Sequence, residues 1–383
     1  MMATLFVSPQ SSADYMAPLL ERGAFGVSYE RIKALEPAGL SNQMEATFYT
    51  FVGRQDLAAT LQDIPESQSC LTDDETTRLT PASSWLSDVV ADHKVLMFNE
   101  NHFRIEARVF VASQLEMLKS AGFTHIGFEA FQADLADSEE LSPAHGFYTQ
   151  EPTFSALIRQ AQAMGFQVFS YESTRAIAEG ESAFEVRERT QATNILSQIE
   201  QANEDARFVI FAGWDHIAEA AKGPDELRWM AARLKERSAI DPFTIDLTSC
   251  GYAGSDSALA NSGMVLVDDT NHARVTGQYR GLVDAQIHLP LPGSDSLKTG
   301  FYRQTLGNPV VIADELRLSD EPVLVRAYQH DTDEVAYDQV LLYPGEHFPL
   351  YLAPGHSYLL LSYTADGSIV GELEYNELAD IQP

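Results

Sequence analysis

Val95-Leu-Met-Phe-Asn-Glu-Asn-His102 is a short apolar run that ends in polar residues. The run is typical of a parallel strand buried on both faces, because it lacks the alternation of a half-exposed strand. A helical pattern follows over residues 104–120 and stops at Ala121-Gly122. The alternation continues with strands expected at residues 125–129, 167–172, 207–212 and 243–247 and helices at 153–164, 185–201 and 216–237. These five strands and four helices predict an α/β domain with an open, mostly parallel sheet and flanking helices, since a closed barrel needs eight such units.

The flanking stretches divide the chain into three parts. Residues 1–80 form a helical N-terminal segment, with helical spacing at 14–20, 29–35 and 55–61 and a polar linker over 65–80. Residues 84–300 make the expected α/β domain, in which 265–268 and 283–290 are candidates for additional edge strands. Over residues 307–383, short β segments separated by turns such as Pro344-Gly345 predict a small all-β sandwich.

The balance of charge argues against several classes of partner. The chain of 383 residues has 25 Lys and Arg against 56 Asp and Glu, a formal net charge of −31. Such a surface repels phosphate backbones and anionic lipid, so we expect a small-molecule substrate rather than nucleic acid or a membrane surface. No apolar run reaches the ~20 residues of a membrane span, and no signal peptide is visible. This favours the cytoplasm, or the periplasm or cell envelope if the chain is already processed, and leaves the oligomeric state open.

The two cysteines, Cys70 and Cys250, are too few for a disulfide framework or a four-thiolate zinc site. We interpret both as structural thiols, with a pairing between them left open. Cys250 at a strand end is only a marginal nucleophile. Since the Gly-x-Ser-x-Gly elbow and the glycine-rich phosphate loops are also absent, covalent serine catalysis and nucleotide chemistry are disfavoured.

Each of the first four expected strands ends in a carboxylate or an imidazole, at the edge where open parallel sheets bind their ligands. In chain order these residues are Glu100 and His102, then Glu129, then Glu172, then Asp215 and His216. A single glutamate at a strand end could equally stabilise the N-terminus of a following helix through its dipole. The prediction of a functional site therefore rests on the presence of such residues at all four strand ends. Both histidines open helices, where a positive charge is disfavoured, so we expect neutral imidazoles there.

These motifs resemble those of the erythromycin esterase/ChaN-like superfamily, which also includes Tiki-type metalloproteases. Residues 95–102 are similar to its Gly-Glu-x-His after an apolar strand, 127–129 to its second-strand glutamate, and 212–216 to its late Gly-x-x-His. The stretch 187–195 is similar to a helix start of the esterase branch, whereas Asn99 stands where the family has glycine. The resemblance covers about residues 84–250 and implies the EreA/ChaN-like fold. The C-terminal β segments resemble a transthyretin-like or carboxypeptidase-regulatory-like module.

The residues and the resemblance together predict a hydrolase of an ester or related bond. Its catalytic residues are expected to be Glu100, His102, Glu129, Arg187 and His216. In a metal-free form, His102 takes a proton from water while Glu100 fixes its tautomer. His216 or Glu129 then manages the second proton, and Arg187 stabilises the oxyanion. In a metal-dependent form, zinc or manganese is held by Glu100, His102, Glu129 and His216.

Other assignments complete the prediction. Substrate contacts are expected from Asn99, Glu172, Trp214 and Asp215. The ChaN branch of the resemblance implies a haem- or metal-binding module as an alternative, with Tyr148 and Tyr171 as candidate axial ligands. A catalytically inactive interaction protein is the third possibility, for which the replacement of the family glycine by Asn99 is the only sequence sign.

Overall fold

The computed structural model describes residues 38–61, 77–136, 139–223, 225–253, 261–329, 333–364 and 367–376. The helices are α1 Ala38–Phe51, α2 Gln55–Leu61, α3 Ala82–Val89, α4 Glu106–Ser120, α5 Pro152–Ala163, α6 Ala183–Gln201, α7 Met230–Arg237 and α8 Ser294–Lys298. The strands are β1 Thr77–Pro81, β2 Val95–Glu100, β3 His125–Phe128, β4 Gln167–Ser170, β5 Phe208–Gly213, β6 Phe243–Asp246, β7 Gly251–Ala253, β8 Met264–Asp268, β9 Ala285–Leu291, β10 Asn308–Val310, β11 Val323–Tyr328, β12 Asp338–Leu342, β13 Leu350–Leu352, β14 Ser357–Tyr363 and β15 Ile369–Asn376. The helical stretches predicted at 14–20 and 29–35, most of the linker, and Cys70 lie outside the described residues.

A nine-stranded, mostly parallel sheet with helices packed against it forms the centre of the protein. Its strand order is β1-β8-β9-β6-β2-β5-β3-β4, with β7 paired to β9. The neighbours from β6 to β4 run parallel, as the sequence predicts. Every residue of β2 and β5 is buried, which explains why both strands are continuous apolar runs.

The strand order brings the predicted motifs together. Strand β5 lies between β2 and β3, so three of the polar strand ends are neighbours at one edge of the sheet. Glu100, the last residue of β2, is in register with Gly213, the last residue of β5. Phe128 at the end of β3 is in register with Phe211. The side chains that follow these strands therefore converge on Gly213.

Three sequence predictions differ from the structure. Residues 77–80, the end of the predicted linker, belong to β1 (Thr77–Pro81), which pairs with β8 at the edge of the large sheet. The stretch 283–290, predicted at an edge, forms β9 and pairs on both sides, with β6 and with β8. The helix predicted over 216–237 is wrong at its beginning. Residues 214–217 form a single 3-10 turn, and the chain turns again at Gly223 with φ 81° before α7.

The C-terminal strands build two smaller antiparallel sheets. One has the order β12-β11-β14-β15, and the other pairs β10 with β13. Both contribute to a shared hydrophobic core, which includes Val325 from the first sheet and Leu350 from the second. This part contacts the N-terminal helices, because Phe48 packs in one cluster with Leu324 and Leu341. None of the described helices is long and apolar enough to cross a membrane.

Candidate functional site

The polar residues that follow the parallel strands form two adjoining clusters at the carboxyl edge of the sheet. The His102 cluster comprises Glu100, His102, Arg108 and Glu151. The His216 cluster comprises Glu129, Glu172, Arg187, Glu188 and His216. The structure thus brings together all five residues predicted as catalytic, and adds three more that the sequence reasoning did not assign.

In the His102 cluster, a buried carboxylate fixes the imidazole. Oε1 of Glu100 lies 2.9 Å from Nδ1 of His102, and the Glu100 residue is 2% exposed. Burial by itself raises the pKa of Glu100, but the Arg108 charge and hydrogen bonds from both partners outweigh it and lower that pKa. Since Glu100 is an acceptor only, the hydrogen between the two residues belongs to Nδ1, and Nε2 of His102 carries the lone pair.

The His102 imidazole is held from its face as well as from its edge. The Tyr148 ring stacks on it with centroids 4.7 Å apart and an interplanar angle of 19°. The His102 side chain remains 25% exposed, so solvent or a ligand can reach it. Nε2 of His102 has no hydrogen-bond partner among the described residues. The imidazole is therefore oriented, accessible and free to accept a proton at Nε2.

Arg108 is the centre of a buried ion-pair chain behind Glu100. Its Nε and Nη2 donate to the two oxygens of Glu100 at 2.5 and 2.9 Å, and its Nη1 donates to Glu151 at 2.9 Å. Glu151 also caps α5 by accepting from the backbone N–H groups of Thr153 and Phe154. Arg108 and Glu151 are both 0% exposed. The position of His102 is thus tied, through Glu100 and Arg108, to the start of α5.

Gly213 is the point at which the two clusters meet. A Cβ on Gly213 would lie 2.5 Å from Nε2 of His102 and 2.9 Å from Oε2 of Glu129. The Gly213 N–H donates to the same Glu129 oxygen. The backbone of Gly213, at φ −80° and ψ 148°, is open to any residue. Glycine is required here because His102 and Glu129 both occupy the space a side chain would fill.

In the His216 cluster, an imidazole lies between two carboxylates. Nδ1 of His216 is 2.9 Å from Oε2 of Glu188, and Nε2 is 3.1 Å from Oε1 of Glu129. The same Glu188 oxygen accepts from the N–H of Met230 at the start of α7. Glu188 is 0% exposed and His216 is 5% exposed.

The charge on His216 differs from the expectation. Burial alone lowers the pKa of His216, but the facing carboxylates of Glu129 and Glu188 raise it to about 10. The two carboxylates therefore argue against the neutral imidazole that was expected for His216, whereas Nη1 of Arg187, which can only donate, lies 3.1 Å from Nε2 and favours it. The single 3-10 turn at 214–217 has little dipole, whereas two carboxylates lie within hydrogen-bonding distance. Burial likewise raises the pKa of Glu129, but the charges of His216 and Arg187 hold it well below its usual range.

Arg187 links the ends of β3 and β4. Its Nη2 donates to Glu129 at 2.5 Å and to Glu172 at 2.7 Å, and its Nε donates to Glu172 at 3.1 Å. Glu172 also accepts from the Gln191 amide and from the N–H of Ala130. The Arg187 side chain is 19% exposed, whereas the Glu172 side chain is only 3% exposed. Glu172 therefore orients Arg187, and Arg187 is the cation of this cluster that faces the surface.

Two residues at the strand ends have strained backbones. Ala130, directly after Glu129, has φ 57°, and Trp214, directly after Gly213, has φ 34°. Non-glycine residues rarely adopt positive φ, and such strain tends to occur at functional sites. Both residues sit where the chain leaves a central strand beside the two clusters.

The remaining residues predicted to contact substrate occupy different environments. Asn99 is 0% exposed, and its side chain bonds the Trp214 carbonyl at 3.0 Å, Asp246 at 3.0 Å and the N–H of Leu247 at 2.7 Å. The prediction that Asn99 contacts substrate is wrong, because its amide cross-links β2, β5 and β6 beneath the surface. Trp214 stays partly exposed, and Asp215 accepts from the Tyr279 hydroxyl at 2.6 Å.

The residues predicted as metal ligands do not fit a metal shell. Both oxygens of Glu100 accept from Arg108, and the Glu129 carboxylate is shared by Arg187, His216 and the Gly213 N–H. Both oxygens of each carboxylate are thus already bound by N–H donors of the protein, two of which are guanidinium groups, and a cation would have to displace them to bind there. Within the described ranges, no group of three or more His, Cys, Asp or Glu residues is arranged to hold a metal ion.

The tyrosines predicted as haem ligands do not fit that role either. Tyr171 is 0% exposed and donates its hydroxyl to the Phe211 carbonyl at 2.7 Å, inside the core. The Tyr148 ring stacks on His102 and contacts the Arg108 guanidinium, and burial raises the pKa of its hydroxyl. Cys250, the marginal nucleophile, is disulfide-bonded and so has no free thiolate.

Comparisons with known proteins give only distant similarities. No family model and no curated protein match the chain. Among solved structures, it is similar to RRSP, a MARTX toxin effector domain from Vibrio vulnificus CMCP6, with a TM-score of 0.33 and 19% identity over 63% of this chain and 55% of that one. It is also similar to the type III effector HopBA1, with a TM-score of 0.34 and 13% identity over 57% of this chain and 98% of that one. The C-terminal region of Pasteurella multocida toxin gives a TM-score of 0.29 and 10% identity over 90% and 58% of the two chains. Similarity at this level carries no inference about activity.

Proposed function

We propose that the protein is a hydrolase that activates water on His102 without a resident metal ion. The proposal rests on the arrangement of His102. Its Nδ1 is bound to the buried Glu100, its imidazole is accessible, and its Nε2 and the Glu129 carboxylate both lie against Gly213. A histidine that is oriented by a carboxylate and open at its second nitrogen has the geometry of a general base.

The surrounding residues supply the other requirements of the reaction. A water molecule between Nε2 of His102 and the Glu129 carboxylate loses its proton to His102 as it attacks a carbonyl carbon. His102 then passes this proton to the leaving oxygen. Glu129 has a depressed pKa and so acts as an acceptor for the water, not as an acid. Arg187, the partly exposed cation, stabilises the charge that develops on the carbonyl oxygen, with the protonated His216 behind it.

We further propose that the chain is a relative of the erythromycin esterase/ChaN-like superfamily, with an EreA/ChaN-like arrangement of the α/β part and a sandwich arrangement of the C-terminal strands. The proposal is supported by the convergence of the motif residues, since Glu100, Glu129, Arg187 and His216 come from separate stretches of the sequence yet adjoin each other. On this basis the bond cleaved is an ester or lactone of a small molecule.

A panel of ester and lactone substrates tests the proposal. The wild-type protein, dialysed against EDTA and checked for metal by elemental analysis, is compared with His102→Ala and with His125→Ala. His125 is a matched control, because it stacks on Phe208 at the opposite end of β3. We expect turnover in the wild type and in His125→Ala, and a loss of about 10²–10⁴-fold in His102→Ala. Unchanged turnover in His102→Ala contradicts the assignment of the base.

A further inference from the structure

A cleft of about 250 Å³ lies beside the loop that follows His102. Its walls come from three distant stretches of sequence: helices α1 and α2, the loop between β2 and α4 with the start of α4, and the end of β9 with α8 and the residues after it. In the second of these stretches, residues 103–106 line the cleft. The first of these residues, Phe103, directly follows the proposed base His102 in the sequence.

One residue of the cleft lining, Phe103, directly follows His102 and contacts a second residue near the candidate site. The Phe103 ring lines the cleft, and its centroid is 6.1 Å from that of the Trp214 ring. Trp214 in turn directly follows Gly213, where the two clusters meet. The Phe103 and Trp214 rings therefore lie between residues of the candidate site and the lining of the cleft in the chain of contacts.

The lining of the cleft is apolar and carries no unbalanced charge. Ala59, Ile105 and Leu297 are among its apolar members. The charged members, Arg104 and Glu106, form an ion pair at 2.5 Å. Because no single charge is left to pair with a ligand ion, the cleft fits an uncharged group, whereas a charged group would lose its hydration without compensation.

Most of the neutral polar groups in the lining are already satisfied within the protein. The hydroxyls of Thr50 and Tyr302 donate to backbone carbonyls at 2.7 and 2.6 Å. The exception is Gln55, which is 7% exposed and whose Nε2 has no hydrogen-bond partner among the described residues. A buried donor without an acceptor is costly, and a ligand that supplies an oxygen acceptor would remove that cost.

We propose that this cleft binds an apolar, uncharged part of the substrate and that Gln55 donates a hydrogen bond to a carbonyl oxygen on it. The ligand class is an aryl or alkyl group that bears an amide, ketone or ester carbonyl. The link to turnover rests on the proposed function, but the binding itself requires no catalysis. Gln55 is thus a specificity-determining residue, and the N-terminal helices complete the substrate site.

The test measures the binding of two probes by ligand-observed NMR in the inactive His102→Ala protein. Acetanilide carries an aryl ring and a carbonyl acceptor, and n-propylbenzene has a similar shape without the acceptor. Two further variants are made in this background, Gln55→Leu and Ala59→Trp, with Gln201→Leu on the distant helix α6 as the control. Thermal unfolding verifies that each variant is folded, and Ala59→Leu replaces Ala59→Trp if the larger side chain prevents folding.

We expect saturable acetanilide binding that weakens about fivefold in Gln55→Leu, the effect of one lost hydrogen bond, and at least about tenfold in the Ala59 variant. The affinity for n-propylbenzene should be unchanged in Gln55→Leu and should fall in the Ala59 variant. Absence of acetanilide binding, or unchanged affinity in both variants, overturns the inference. Wild-type ester turnover without acetanilide binding refutes this inference alone. Acetanilide binding with no turnover on any substrate supports the cleft and refutes the proposed hydrolase.

Discussion

The charge of His216 provides a prediction that is independent of any substrate. The rise of the His216 pKa from 6.5 to about 10 corresponds to a net stabilisation of the imidazolium by roughly 5 kcal/mol, in which the flanking carboxylates outweigh the cost of burial. Because the folded-state pKa lies above the unfolded value, this stabilisation is fully present below pH 6.5 and is lost as the pH rises towards 10. Glu188→Gln keeps the shape of the side chain and removes one of the two facing charges. It should lower the pKa of His216 by about 2 units and the free energy of unfolding at pH 6 by about 3 kcal/mol.

The assay combines NMR titration of the His216 ring, assigned with a His216→Gln sample, and urea unfolding at several pH values. The difference in unfolding free energy between the wild type and Glu188→Gln should shrink between about pH 8 and pH 10, because the imidazolium of the variant loses its proton near pH 8 whereas that of the wild type keeps it until about pH 10. Glu185→Gln is the matched control, since that glutamate lies on the same helix with a side chain 45% exposed, and its change should stay below about 1 kcal/mol. A wild-type His216 that titrates near 6.5, or a Glu188→Gln protein as stable as the control, would refute the reasoning.

Two further predictions concern the scaffold of the site. Arg108→Met leaves two buried carboxylates without their cation. It should lower the free energy of unfolding, measured in urea, by about 3–5 kcal/mol. The control is Arg189→Met, at a side chain that is 47% exposed, which should change the free energy of unfolding by less than about 1 kcal/mol. Equal effects would show that Arg108 does not carry the ion-pair chain. Ala130→Gly relieves a φ of 57° and should raise stability by about 1 kcal/mol, while Ala112→Gly inside α4 should lower it by a similar amount. A loss of stability in Ala130→Gly would mean that the positive φ is not strained.

The parallel strands could be predicted because their environment is uniform. Strands β2 and β5 are buried on both faces, so their sequences are continuous apolar runs, which distinguish them from the surrounding helices and loops. Strand β1 was not predicted, because Thr77-Arg-Leu-Thr-Pro81 is mostly exposed at the sheet edge and its polar composition is typical of a linker. Edge strands carry polar residues and proline for this reason, and only pairing with β8 reveals them.

The site was predictable where a residue follows a strand and was missed where it lies on a helix. Glu100, Glu129 and His216 were found because parallel topology places all strand ends at one edge. Arg108 lies inside α4, where a charged residue is ordinarily solvent-exposed, yet it is 0% exposed. The available signal was its position among buried apolar neighbours, as in Ala107-Arg-Val-Phe-Val111. Glu188 fell inside a noted motif, but only the fold shows that it faces His216.

Asn99 and the charge of His216 show why position alone does not assign a role. Asn99 is adjacent in sequence to Glu100, but successive residues of a strand point to opposite faces, so its amide binds β6 and the end of β5. The expectation for His216 weighed the helix dipole without knowing that Glu188 would lie opposite. Both corrections come from tertiary contacts that a local pattern does not contain.

The most direct test of the proposed water-activating site is the turnover of Gly213→Ala. The new Cβ would lie 2.5 Å from Nε2 of His102, so the imidazole must move by about 1 Å, a displacement that can cost about 10²-fold in rate. Gly293→Ala is the control, because a Cβ there meets nothing within 4 Å and its backbone needs no glycine. With the best ester or lactone, after EDTA treatment, we predict wild-type turnover in Gly293→Ala and about a hundredfold loss in Gly213→Ala. Equal turnover in the two variants, or activity that EDTA removes and zinc restores, would contradict a metal-free site centred on His102.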